Sequence, residues 1–256
     1  MILDQIAEAK KKEVKRDQAR WPLAAMKAGL RNPPPARNFR KAIEDGRCAI
    51  IAEVKRKSPS KGIIRKNFDP LEIAQIYEES GAAAVSVLTD YRFFGGKKEF
   101  LTRIKERTRL PILRKDFIID PYQVYETKCL GGDAILLITR LLGKRLRDYI
   151  RLAESLHLFP FVEVHSPEDL DMALAAGADL IGINNRDLMT FATGLQTSLD
   201  LAPLIPEGKI VIAESGIHSR KDVEILMAAG IHAFLIGETL MKADDIAAKM
   251  KELMGP

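Results

Sequence analysis

Cysteine is scarce: Cys48 and Cys129 are the only two in 256 residues, far apart and in no metal-ligand spacing. That excludes a disulfide-stapled framework or a cysteine-rich zinc site, and points to a reducing compartment, the cytoplasm. No apolar run approaches the ~20 residues needed to cross a bilayer, so no membrane partner is expected. The stretch Met1 to Lys15 lacks a basic leader, an apolar core and a small-residue cleavage site, so it does not read as a signal peptide. A strong charge of one sign is also missing. The net charge is +5, with basic residues spread along the chain. The denser groups, Lys10 to Arg16 and Arg103 to Arg109, are expected to be solvated helix faces rather than a nucleic-acid surface. A modest positive balance suits a small anionic metabolite equally well. No G-x-G-x-x-G follows the first strand, which weighs against a dinucleotide-binding sheet.

What is present is a recurring unit. A helix ends at Gly and an apolar run follows, at Gly81, Gly132, Gly177 and Gly230. Gly past a helix end supplies the left-handed residue, and a continuous apolar run reads as a strand buried on both faces. With intervening strands, eight are expected: Ala49 to Val54, Ala84 to Leu88, Pro111 to Leu113, Ala134 to Ile138, Pro160 to Val164, Leu180 to Asn184, Ile210 to Glu214 and Ala233 to Gly237. Asp69-Pro70, Asp120-Pro121 and Ser166-Pro167 read as helix caps followed by Pro at the first helical position. Ser219 to Asp222 has the spacing of a capping box. Strict strand–helix alternation over a length near the ~250 residues of a closed barrel predicts an α/β fold, a (β/α)8 TIM barrel. Residues 1–256 form one domain in this reading, with 1–45 an N-terminal helical extension. Leu3, Ile6 and Val14 would pack that extension on the barrel, and Asn32-Pro33-Pro34-Pro35 would make an extended connector. A monomer is expected, since no long apolar surface stripe is evident.

Active sites of such barrels gather at the carboxyl ends of the strands. Polar groups ending the apolar runs there are Glu53 and Lys55, Lys115, Glu163, Asn184 and Arg186, and Glu214. A charged carboxylate among apolar neighbours, such as Glu163, would cost several kcal/mol to bury without a partner. The lysines supply partners. Ser215-Gly216 and Gly237-Glu238 end the last two strands, where barrel phosphate sites commonly form from backbone N–H groups.

The stretch Glu53-Val-Lys-Arg-Lys-Ser-Pro-Ser resembles the signature of indole-3-glycerol phosphate synthase. Further matches are Ser86-Val-Leu-Thr-Asp90, Phe93-Phe-Gly-Gly96, Leu113-Arg-Lys-Asp-Phe-Ile118, Gly182-Ile-Asn-Asn-Arg-Asp-Leu188 and Ala213-Glu-Ser-Gly-Ile217. The resemblance runs from about Ile2 to Leu253. It implies an enzyme of tryptophan biosynthesis, a carboxy-lyase. Its substrate would be 1-(2-carboxyphenylamino)-1-deoxyribulose 5-phosphate, closed to indole-3-glycerol phosphate with loss of carbon dioxide and water. By the same resemblance Lys115 is the general acid of ring closure. Glu163 takes part in the later proton transfer and Lys55 is a further acid. Glu53 and Asn184 hold substrate hydroxyls. Phe94, Phe117 and Leu235 sandwich the ring, and Ser58, Ser215, Gly216, Gly237 and Glu238 hold the phosphate. Glu238 stands where some members have Ser. Proton transfer accounts for every step, so neither a metal nor a cofactor is expected.

Three rivals remain open at this point. A Schiff-base aldolase would need a barrel lysine with a depressed pKa. Phosphoribosylanthranilate isomerase would need a Cys/Asp pair, but Cys48 sits at the wrong end of its strand. A non-catalytic phosphosugar sensor would not need the acid/base set.

Overall fold

Eight parallel strands carry the apolar runs: β1 (Ala49–Val54), β2 (Ala84–Leu88), β3 (Ile112–Lys115), β4 (Ala134–Ile138), β5 (Phe159–Val164), β6 (Leu180–Asn184), β7 (Ile210–Glu214) and β8 (Ala233–Ile236). Each pairs with its neighbours in the chain, and β8 closes on β1 with Ile51 opposite Leu235. Helices follow every strand, so the fold is a (β/α)8 barrel. The computed structural model describes residues 2–30, 35–44, 48–187 and 192–255. Among them no helix is long and apolar enough to cross a membrane.

Strand alternation decides what faces the barrel axis. Ala49, Ile51, Leu113, Ala134, Leu136, Phe161, Leu180, Ile212, Ala233 and Leu235 form one buried interior cluster. Their alternates, such as Ile50, Ala52, Val54, Val85 and Val87, pack outward under the helices. Both faces are buried, which is why the runs are continuously apolar.

Three strands differ in their limits from the sequence expectation. β5 begins at Phe159 and β8 ends at Ile236. The third strand is Ile112–Lys115 rather than Pro111 to Leu113. Arg114 and Lys115 break the apolar pattern but not the ladder, because each has partners. Arg114 points outward and is fully buried. Its guanidinium donates to Asp116 at 3.0 Å, Glu126 at 2.8 Å and Thr89 at 3.1 Å. Burial alone would lower its pKa, but Glu126 and Asp116 raise it, so it stays charged.

Helix starts follow their capping residues. Asp69, Asp120, Ser166 and Ser219 each accept from a first-turn N–H, and Asp120 and Ser219 complete capping boxes. Each such cap contributes about 1 kcal/mol. Gly81, Gly177 and Gly230 are left-handed as expected; in the remaining unit it is Gly131, not Gly132. Gly132 instead passes so close to Thr127 that a Cβ would collide.

The N-terminal segment covers both ends of the barrel. Helix α1 (Ile2–Arg20) lies at the carboxyl end of the strands, with Ile2, Leu3 and Ile6 on the central cavity. Helix α2 (Leu23–Gly29) packs Met26 near Tyr122. Helix α3 (Phe39–Glu44) inserts Phe39 and Ile43 among the strand starts, in the same cluster as Ala49, Phe159 and Ala233. Of the expected proline connector, Asn32 to Pro34 lie outside the described residues.

Lys10 corrects the expectation of a solvated basic face. It is 1% exposed. Its ammonium meets Asp116 at 2.8 Å, Asp90 at 3.0 Å and Glu13 at 3.0 Å. Three acceptors make burial of the cation tolerable.

Candidate active site

The interior parity of the strands extends past their apolar cores. Residues two steps beyond an inward-facing position also face the axis. Glu53 follows Ile51, Lys115 follows Leu113, Glu163 follows Phe161, Asn184 follows Gly182 and Glu214 follows Ile212. The pairings Asn184↔Glu214 and Glu214↔Leu235 hold neighbours level. The polar groups therefore form a ring at the carboxyl end, on a floor that includes Leu136 and Leu235.

One cavity takes in all the residues singled out by sequence: Glu53, Lys55, Ser58, Phe94, Lys115, Phe117, Glu163, Asn184, Arg186, Glu214, Ser215, Gly216, Leu235, Gly237 and Glu238. The cavity also takes in Ile2, Leu3 and Ile6 from α1, and Leu136 and Ile138 from β4. The alternation of β4 could have indicated the last two. Nothing local in the sequence of α1 says which end of the barrel it covers.

Two lysines interleave with three carboxylates. Lys115 Nζ lies 2.5 Å from Glu214 Oε2 and 3.3 Å from Glu163 Oε2. Lys55 Nζ lies 2.6 Å from Glu53 Oε1. Burial would lower Lys115, but Glu214, Glu163 and Glu53 raise it well above the usual lysine range. Burial would raise Glu163. Lys115, His165 and the side chain of Asn184 outweigh that and hold it below its ordinary value. Glu214 goes the other way: burial, reinforced by the Glu163 charge and opposed by Lys115, pushes it up to about 7. Two carboxylates sharing one ammonium cannot both be fully compensated, so one is driven toward neutrality.

Two glycines make room for this ring. A Cβ on residue 182 would overlap the Phe161 ring and Glu214 Oε1, and one on residue 237 would overlap the Glu53 carboxylate. Gly237 is therefore required for close packing, in addition to the anion-loop role inferred from sequence. Past β7, Ser215 and Gly216 both take positive φ, 66° and 74°. Left-handed geometry at a non-Gly residue is uncommon and strained, and is typical of functional sites. Glu238 opens the short helix Glu238–Lys242 and is paired with Lys242 at 2.6 Å and Arg186 at 3.3 Å. On the opposite wall the Phe94 and Phe117 rings stand 5.9 Å apart. Their loops are braced from below: Asp90 accepts from Phe93 N at 2.7 Å and Asp116 from Phe117 N at 2.8 Å. These are the two aspartates that grip Lys10.

Such a ring, at the carboxyl end of a closed parallel barrel, defines an acid/base enzyme of the (β/α)8 class. The family model "Indole-3-glycerol phosphate synthase" matches residues 3–253. A relative of that name from Alkaliphilus metalliredigens is 47% identical, over 99% of this chain and 98% of its own. Another from Carboxydothermus hydrogenoformans is 45% identical, over 99% and 100%. The chain belongs to the indole-3-glycerol phosphate synthase family. Its reaction is the closure of the phosphorylated carboxyphenylamino-deoxyribulose to indole-3-glycerol phosphate, with decarboxylation and dehydration, in tryptophan biosynthesis. Among solved structures, a 3-hexulose-6-phosphate synthase shares the fold alone, with TM-score 0.64, 14% identity, 80% of this chain and 98% of the other covered.

Proposed function

We propose the following division of labour in that reaction. Lys115 protonates the ribulose carbonyl oxygen as the ring carbon attacks it. Carbon dioxide then leaves. Lys55 delivers the second proton, with which the hydroxyl departs as water, and Glu163 removes the proton from the carbon next to nitrogen. Glu53 and Asn184 hold the substrate hydroxyls. Phe94, Phe117 and Leu235 enclose the aromatic ring. Ser58, Ser215, Gly216, Gly237 and Glu238 receive the phosphate, with Arg186 beside them. Glu214 orients Lys115 and absorbs excess negative charge. The observation carrying this reading is Lys115, held between Glu163 and Glu214 at the barrel axis. A proton lost by Lys115 can be returned through the adjacent Glu163.

Two rivals are disfavoured. A Schiff-base lysine needs an amine with a lowered pKa, whereas Lys115 is pushed up. A Cys/Asp isomerase needs a thiolate at the strand ends, but Cys48 precedes β1 and burial pushes its thiol up. The chain is further proposed to act as a cytoplasmic monomer and as one domain, with the N-terminal helices part of it.

The test is indole fluorescence against time with the phosphorylated substrate. Lys115→Ala and Glu163→Gln should each lose about 10²–10⁴-fold in turnover while still binding substrate. Binding without any turnover by the wild type would instead support the sensor reading.

A further inference from the structure

The aromatic wall of the site hangs on two short segments that follow neighbouring strands. Phe94 lies in the segment after β2 and Phe117 in the one after β3, and Leu88 is level with Lys115 where the two strands end. Each segment is fixed at its start by a buried aspartate. Asp90 caps the helix Tyr91–Phe94, and the chain beyond that helix folds back, Gly96 N donating to Asp90 O at 2.8 Å. Gly96 runs so close to the Leu88 carbonyl that a Cβ would collide. Asp116 Oδ1 accepts from Phe117 N, and its Oδ2 accepts from Thr89 Oγ1 at 2.5 Å, which laces the two strand ends together.

One ammonium stands between the aspartates. Lys10 Nζ reaches Asp90 Oδ2 and the same Asp116 Oδ1 that holds the Phe117 N–H. Lys10 itself lines no part of the active-site cavity. Ile6 does, and it sits one helical turn before Lys10 on the same buried face of α1. The cation therefore joins three parts of one wall: the Phe94 segment, the Phe117 segment and Ile6. Burial would lower Lys10, but Asp116, Asp90 and Glu13 raise it. Burial would raise Asp116, but Lys10 and Arg114 hold it well below the usual carboxylate range. Both partners stay charged near neutral pH. A buried ion cluster is a poor device for stability alone, since well-packed apolar groups of the same volume often hold as well or better. What this cluster fixes is the mutual placement of the segments that bear its acceptors.

We propose that Lys10 is a positioning residue for the aromatic half of the substrate: it sets the Phe94 and Phe117 segments, and Ile6 with them, at the spacing that receives the ring. This rests on the enclosure of the ring by Phe94 and Phe117 proposed above. Lys10 lies outside the cavity and acts through Asp90 and Asp116, whose carboxylates hold the Phe93 and Phe117 backbone.

Two ligands separate the ring from the rest of the substrate. Indole-3-glycerol phosphate carries ring, hydroxyls and phosphate; ribulose 5-phosphate carries hydroxyls and phosphate but no ring. Calorimetry measures both dissociation constants, the weaker ligand by displacement of the stronger. Lys10→Met should weaken indole-3-glycerol phosphate roughly tenfold, the scale of one well-placed aromatic contact, and leave ribulose 5-phosphate unchanged. Equal loss of both would mean that Lys10 only holds the fold together, and overturns the proposal. So does wild-type binding of both. Val14→Ala loosens α1 where it packs with Met26 and Tyr122 rather than on the aspartates. It should keep both constants, and a ring-selective loss there also overturns the assignment to Lys10. If Lys10→Met does not fold, Asp90→Asn decides. Its amide oxygen still accepts from Phe93 N, but the charge that meets Lys10 is gone, and the same ring-selective loss is expected. Failure of the parent reading is recognised separately: Phe94→Ala and Phe117→Ala would then bind indole-3-glycerol phosphate as tightly as the wild type.

Discussion

At the residue scale, the site is a matter of competing charges. Glu214 and Glu163 both approach Lys115, and only Glu214 is pushed up, to about 7. Its folded pKa exceeds the ordinary 4.5, so the native state holds this proton more tightly than the unfolded chain does. The resulting stability is complete below the ordinary value and is lost as pH rises through about 7. Glu214→Gln cannot ionise and should flatten this decline. Urea midpoints measured between pH 5 and pH 8 test it. A variant declining as steeply as the wild type would assign the pH dependence elsewhere. Sequence inspection reached Glu214 as one of several strand-end acids. Its shift depends on distances to Lys115 and Glu163, which lie 99 and 51 positions away along the chain.

At the element scale, α1 is tied to the active-site loops by one cation. Lys10 joins Asp90, which caps the helix Tyr91–Phe94, and Asp116, which sits between Lys115 and Phe117. Lys10→Met would leave two aspartates buried without it. A loss of about 3–5 kcal/mol is expected, as for removal of one partner from a buried ion pair. Chemical denaturation measures it; a loss below 1 kcal/mol would mean that the aspartates find other partners. A lysine in a basic, amphipathic helix reads as solvated on pattern alone, and that expectation was wrong here. The acceptors come from loops about 80 and 106 residues away, so the burial had no local signal. Helix starts were legible for the opposite reason: Asp120 and Ser219 find their partners within three residues.

At the scale of the whole molecule, closure links the elements. Every barrel strand has two neighbours, and the N-terminal helices lie across both barrel ends. Thermal unfolding should therefore show one cooperative transition that includes α1. An early separate step, seen by hydrogen exchange confined to residues 2–20, would make the extension an independent unit. Sedimentation at micromolar concentration should give a particle near the chain mass of 28.6 kDa. A species of twice that mass would refute the monomer.

The order of strands and helices, the caps and the inward or outward sense of each side chain follow from spacing along the chain, because local periodicity and short-range hydrogen bonds decide them. Glu53, Lys115, Glu163, Asn184 and Glu214 were legible as polar groups ending apolar runs, whereas Ser58, Phe94 and Phe117 were reached only through the motif resemblance. Tertiary structure alone decided which end of the barrel α1 covers, that Lys10 is buried, and that Glu214 rather than Glu163 is pushed toward neutrality. Each depends on distances between residues brought together by barrel closure, and a desolvated charge is governed by whatever lies within a few ångströms of it.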